Sequence, residues 1–201
     1  MTKRSSKSPK SGRSKKVDLS QLELPKIDLA AVTNPDIRNF LSHTGNTESL
    51  AKAYWMLGVE AEGRMEWENA IECYQAVLAI NPADPLSRYF APHNLAYALI
   101  QMKRYEEAVR YAETAVAVND AFPFAYHTLG LALRALARYT EAAYAFLTAI
   151  VKGQKSNTSW LQLQSLVSEH PELYDQIPRL SDDIEHTRKA LESSGLLKRT
   201  H

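Results

Sequence analysis

Apolar and small side chains across residues 51–156 recur with a period of 34, and inside each period they follow the three-to-four-residue spacing of helices. Setting Ala70, Ala108 and Ala142 at position 20 defines three tandem units, 51–84, 89–122 and 123–156. The first carries Tyr54, Leu57 and Gly58 at positions 4, 7 and 8, then Ala70, Tyr74 and Val77 at 20, 24 and 27, and Pro82 at 32. The third carries Tyr126, Leu129, Gly130, Ala142, Phe146 and Ala149 at the corresponding places, and the second keeps Leu95, Ala108, Ala112 and Ala115. Positions 4, 7, 8 and 11 form one stripe on a first helix, and 20, 24 and 27 one stripe on a second. Each unit therefore predicts a helical hairpin whose helices approach closely where residues 8 and 20 are small. A lone hairpin leaves its stripe in water, so the three units must stack.

The order aromatic, Leu-Gly, small, aromatic, small and Pro at these offsets resembles the tetratricopeptide repeat family. The resemblance implies an all-α fold, a right-handed superhelical array of helix-turn-helix repeats with one concave face and with C-terminal capping helices. The second unit departs from the pattern with Pro92, Ala96 and Asp120 at positions 4, 8 and 32, and residues 85–88 are inserted before it. Four residues are about one helical turn. With Asp84 as N-cap and Pro85 at the first helical position, that helix is expected to begin a turn early and to bend near Pro92.

Outside the repeats, residues 1–16 form a basic tail and residues 17–46 a leader. Residues 17–32 carry apolar side chains that need cover, with Pro25 interrupting any long helix. They are expected either to dock on the array or to lie extended in the concave groove through Leu22, Leu24 and Ile27; in the second case, removing residues 1–33 would raise affinity for an outside peptide. Asn34 and Pro35 read as the cap and first residue of a short helix to about Ser42, and Asn46 or Thr47 as the start of the first repeat helix. Residues 157–201 read as capping helices. Trp160, Leu163 and Val167 stand at positions 4, 7 and 11 of a fourth unit that lacks its second helix, and a final amphipathic helix at 181–194 closes at Gly195.

Composition narrows the classes. The 201 residues, 45% hydrophobic and 23% charged, suit one helical array and leave no room for a second enzyme-sized domain. Cys73 is the one cysteine, which excludes an internal disulfide framework. No run approaches about 18 consecutive apolar residues, and the N-terminus lacks a secretory apolar region, so a soluble cytoplasmic protein is expected. The tail holds Lys3, Arg4, Lys7, Lys10, Arg13, Lys15 and Lys16 and no acid. Subtracting those seven from 24 basic residues leaves 17 against 23 acidic ones, so the remainder carries −6 while the whole chain reads +1. Such a tail has little to bury and is expected to stay disordered when free; it suits a solubilising role or contact with nucleic acid or another acidic surface.

No HExxH, glycine-rich phosphate loop or GxSxG element accompanies the histidines, so no catalytic residue and no cofactor is assigned. In the resembled family, first-helix positions 2, 5, 6, 9 and 12 face the groove. The first unit then contributes Lys52, Trp55, Met56, Val59 and Glu62; the second Phe90, His93, Asn94, Tyr97 and Ile100; the third Phe124, His127, Thr128, Leu131 and Arg134. His93 and His127 both fall at position 5, which points to a groove that titrates near the ordinary histidine pKa of about 6.5, while no third ligand for a metal is evident. Family members that hold acidic chaperone tails place Lys, Asn, Asn, Lys and Arg where this chain has Trp55, Val59, Asn94, Phe124 and Thr128, so only Asn94 matches. The expected function is a non-catalytic adaptor or chaperone-like module that holds an apolar peptide segment of another protein. A scaffold that self-associates through the groove or leader, and a nucleic-acid accessory protein led by residues 1–16, stand as alternatives.

Overall fold

The computed structural model describes residues 21–27, 32–42, 46–153 and 158–197; the 1–16 tail and the nucleic-acid reading built on it lie outside these residues. Within them the chain is all-α, with ten helices: α1 (Pro35–Ser42), α2 (Thr47–Gly63), α3 (Trp67–Ile80), α4 (Pro85–Gln101), α5 (Tyr105–Val118), α6 (Pro123–Ala135), α7 (Tyr139–Val151), α8 (Thr158–Glu169), α9 (Leu173–Gln176) and α10 (Leu180–Ser193). Local chemistry sets the starts. Asn46 Oδ1 accepts the Glu48 amide at 2.9 Å to open α2. Asp84 accepts the Ser87 amide at 2.8 Å, with Pro85 as the first residue of α4, one turn ahead of the repeat boundary. Pro92 stands buried inside α4, which runs through it without interruption.

Each repeat folds as a hairpin, α2 on α3, α4 on α5 and α6 on α7, and consecutive hairpins stack through α3 on α4 and α5 on α6. First helices also touch one another, α2 with α4 and α4 with α6, which lines them along one face. The turn inside each hairpin is built the same way three times. Met65, Lys103 and Ala137, all at position 15, take left-handed φ values of 59°, 58° and 58°. The following amides of Glu66, Arg104 and Arg138 donate to the carbonyls of Ala61, Leu99 and Leu133, each at 2.9 Å. This is the six-to-one bond of a Schellman closure, made here without glycine.

The glycines at position 8 explain how closely the paired helices approach. A Cβ on Gly58 would stand 2.6 Å from the Tyr74 ring, and one on Gly130 2.6 Å from the Phe146 ring. Tyr74 and Phe146 are both fully buried, so neither ring has room to retreat. The second unit solves the same problem in reverse: Ala96 brings a methyl group and its partner position holds Ala112 instead of an aromatic ring, both fully buried.

Two apolar clusters continue through the stack. One joins α1, α2, α3 and α4 through Ile37, Tyr54, Val77, Ile80 and Ala91, and the other runs from Ala61 and Tyr74 to Leu173 and Leu180 at the C-terminal end. Trp160 and Leu163 of α8 are buried where a fourth repeat would begin, Leu163 as part of the latter cluster. Among the described residues no helix is long and apolar enough to cross a membrane.

Gly130→Ala is expected to destabilise the chain. Overpacking against Phe146 costs about 1–3 kcal/mol, which outweighs the roughly 1 kcal/mol of helix propensity gained. Gly63→Ala, with nothing within 4 Å of the new methyl group, keeps the gain alone. Thermal unfolding of the two variants beside the wild type should therefore show shifts of opposite sign. Ala137→Gly should raise the midpoint by relieving a left-handed alanine, a gain of about 0.5–1 kcal/mol.

Candidate functional site

The face lined by the first helices carries two adjoining depressions. The first, of about 520 Å³, is walled by Phe40 from α1, by Lys52, Trp55 and Met56 from α2, and by Leu86, Ser87 and Phe90 from α4, with Asp84 at its edge. Leu86 is 52% exposed at the mouth. The Trp55 indole N–H is buried without a hydrogen-bond partner, a cost of about 1–3 kcal/mol. The carboxylate at the edge of the depression is already engaged. The Asp84 carboxylate accepts from the Ser87 amide and hydroxyl at 2.8 and 2.7 Å, and the nearby Lys52 ammonium adds to holding it below the usual carboxylate range. Lys52 Nζ itself lies 5.9 Å from the centroid of the Phe40 ring.

The second depression, of about 250 Å³, is lined by Glu62, His93, Asn94, Tyr97, Phe124, His127 and Thr128. Its floor is organised from behind. The buried Tyr74 ring, seated under Gly58, sends its hydroxyl through to donate to Glu62 Oε2 at 2.8 Å, and Asn94 Nδ2 donates to the Tyr74 hydroxyl oxygen at 3.4 Å. The packing contact that joins α2 to α3 thus also places two groove side chains. Tyr97 meets Trp67 edge-on at 6.1 Å. His93 stacks on Tyr89 at 6.0 Å, and its Nδ1 lies 3.4 Å from the Thr128 hydroxyl. Thr128 is only 2% exposed, so it is floor and not rim, whereas Phe124 stands 46% exposed above it.

The two histidines come together across α4 and α6, but not as groups that titrate near 6.5. Burial pushes His93 down to about 4, with the neighbouring His127 adding to the shift, and burial lowers His127 as well. His127 Nδ1 shares a 2.7 Å hydrogen bond with the hydroxyl of Ser159, which is fully buried on α8. Both imidazoles are neutral at pH 7 and contribute polarity without charge. Among the described residues no group of three His, Cys, Asp or Glu side chains is placed to hold a metal ion. Cys73, half-buried on α3, has its thiol pushed up to about 11 by burial, which suppresses the thiolate.

Four groove residues lie outside these depressions. Val59 is exposed, and Ile100 and Leu131 pack against the main core. Arg134 is spent on α8: its guanidinium donates to Gln162 at 2.8 Å, Ser165 at 3.0 Å and Glu169 at 2.8 Å. That network fixes the end of the array and leaves Arg134 no free charge for a ligand. Phe40 and Leu86 were not in the repeat register. Leu86 could have been found, because it lies one helical turn before Phe90 on the same stripe; Phe40, outside the repeat, had no periodic partner.

The leader does not lie in the groove. Leu22, Leu24 and Ile27 pack on the first apolar cluster, and the Tyr54 hydroxyl donates to the Pro25 carbonyl at 2.7 Å. Pro25 and Ile27 border Tyr54, Leu57 and Cys73. At about 100° per residue, Tyr54 and Leu57 are on the side of α2 away from Lys52 and Val59. Shielding of the groove by these side chains is thereby excluded.

The low His93 pKa has a consequence for folding. The unfolded chain binds that proton near pH 6.5 and the folded chain only near 4, so stability rises with pH between those values and is level above them. Denaturant midpoints measured from pH 4 to 8 should show a shallower rise for His93→Gln than for the wild type; parallel curves would contradict the burial.

Comparison with known proteins agrees with this architecture. A tetratricopeptide repeat family model matches residues 93–119. The small glutamine-rich tetratricopeptide repeat-containing protein 2 of Mycosarcoma maydis is 35% identical over 101 residues, covering 49% of this chain and 28% of that protein, so the chain spans under a third of its length. A first TPR of Spaghetti (RPAP3), solved bound to the HSP90 peptide SRMEEVD, superposes with a TM-score of 0.56 at 22% identity, over 61% of this chain and 94% of that one. MamA from Desulfovibrio magneticus RS-1 superposes with a TM-score of 0.59 at 15% identity, over 81% of this chain and 98% of that one. With the 34-residue units, the repeated turns and these matches together, the chain carries repeats of the tetratricopeptide type, matched by the family model at residues 93–119.

Proposed function

We propose that the chain is a non-catalytic adaptor that holds an apolar segment of another protein along the face of α2, α4 and α6. The observation that carries this reading is the first depression, walled by Phe40, Trp55, Met56, Leu86 and Phe90, with the Asp84 carboxylate at its edge satisfied by Ser87. An apolar patch of this kind is unusual on a surface that has nothing to bind. The polar floor beyond it, with neutral His93 and His127 beside Asn94, suits the amide groups of an extended backbone. A protonated pair of histidines would repel a cationic segment; a neutral pair does not discriminate by charge.

The solved neighbour carries an acidic peptide. Binding an acidic chain end requires fixed cations facing the ligand. Here Trp55, Val59, Phe124 and Thr128 occupy the places where such cations and amides would stand, and Arg134 is bound to α8. The ligand class is therefore set by apolar contact, with Trp55 as the central anchor.

A fluorescence-anisotropy panel of labelled peptides tests this. Peptides with Leu, Met or Phe anchors should bind the wild type, SRMEEVD should not, and Trp55→Ala/Tyr97→Ala should weaken the apolar peptides by at least about tenfold, or roughly 1.4 kcal/mol. Tighter binding of SRMEEVD than of any apolar peptide, or equal binding by the variant, would contradict the proposal.

A further inference from the structure

The leader adds a part to the site that the repeats do not contain. Helix α1 runs antiparallel to α2, with Asn34 Nδ2 donating to Glu60 Oε1 at 3.2 Å near the far end of α2, and with Ile37 and Leu41 buried between them. Arg38 Nε donates to the Val32 carbonyl at 2.6 Å, and Val32 is buried. An isolated helix of eight residues is not stable in water, so α1 depends on these contacts; residues 21–27 pack on the same apolar cluster and are pinned at Pro25 by Tyr54. Phe40 is what this docking delivers to the other side: a half-buried ring that forms the α1 wall of the 520 Å³ depression, across from Leu86 and Phe90.

We propose that Phe40 is a specificity-determining residue of the peptide site and that the 21–27 segment is the positioning element that holds it there. This rests on the reading of the depression as a peptide site. The occupant it commits to is a neutral, bulky apolar side chain of the Leu, Met or Phe class. The lining supports that choice: Phe40, Trp55, Met56, Leu86 and Phe90 make the walls, the Asp84 carboxylate is satisfied by Ser87, and Lys52 lies exposed at the edge with its Nζ 5.9 Å from the centroid of the Phe40 ring. At about 520 Å³ the depression has room for a bulky apolar side chain, and Phe40 walls it on the α1 side. Removing the leader is then expected to open the site and weaken binding, the reverse of what a leader shielding the groove would do.

The test uses the full chain and the neutral apolar dye N-phenyl-1-naphthylamine as probe, titrated by its fluorescence, with helicity followed by circular dichroism. Phe40→Ala is expected to weaken the dye by about tenfold, and Leu86→Asn, on the exposed opposite wall, by a similar factor. Tyr54→Phe, which deletes only the hydroxyl that pins Pro25, should weaken it by about two- to threefold. If Leu86→Asn weakens the dye and Phe40→Ala does not, the proposal is overturned while the depression stands as a site. If neither variant changes binding, the peptide-site reading fails with it. If Phe40→Ala acts and Leu86→Asn does not, the effect runs through folding and Phe40 is no wall of the site. An unchanged Tyr54→Phe variant removes the positioning role of the 21–27 segment.

Discussion

The close contact between Gly58 and the Tyr74 ring, repeated by Gly130 and Phe146, is the constraint on which the rest of the array depends. It fixes how deeply the second helix of a hairpin sinks against the first, and therefore how the next hairpin meets both. Because each unit packs mainly on its neighbours, an error in one hairpin is passed along the stack. The same contact has a second effect on the groove side. The Tyr74 hydroxyl emerges beneath Glu62 and Asn94 and holds both, so the packing of the hairpin and the shape of the floor are one arrangement.

From that frame the chemistry of the inner face follows. The first helices bring aromatic and aliphatic side chains to one side, while Trp55, Val59, Phe124 and Thr128 stand where an anion site would need cations and amides, and Arg134 is engaged with α8. Arg134 and His127 both reach across to α8, so the capping helix removes a cation and an imidazole nitrogen from the ligand's reach as it covers the last apolar face. At the other end α1 adds a ring. The inner face is thus finished by elements that flank the repeats, polar and closed toward α8, apolar and open toward α1.

Much of the fold could be read from the chain because the 34-residue spacing repeats the same physical problem. Asn46 and Asp84 could be named as caps because their side chains satisfy amides that no helix can satisfy for itself. The hairpin turns could not, since Met65, Lys103 and Ala137 are left-handed without being glycine or asparagine; only closure of the hairpin forces them there. In the site, the register brought Trp55, Met56 and Phe90 to one depression and His93, Asn94 and His127 to another. It could not foresee the depth of Thr128, the withdrawal of Arg134 or the lowered His93 pKa, because each depends on a neighbouring element whose distance is set by packing. The side of α2 taken by the leader was likewise hidden, since alternating apolar residues announce that they need cover and not where they find it.

The chain has three tryptophans, placed so that they report on different regions: Trp55 lines the apolar depression, Trp67 backs Tyr97, and Trp160 is buried on α8. Titrating an apolar peptide into the isotope-labelled protein while following the three indole N–H resonances is the most direct measurement. Occupation of the depression requires the Trp55 signal to move most and the Trp160 signal to stay in place. A peptide that binds while leaving Trp55 unmoved would contradict it.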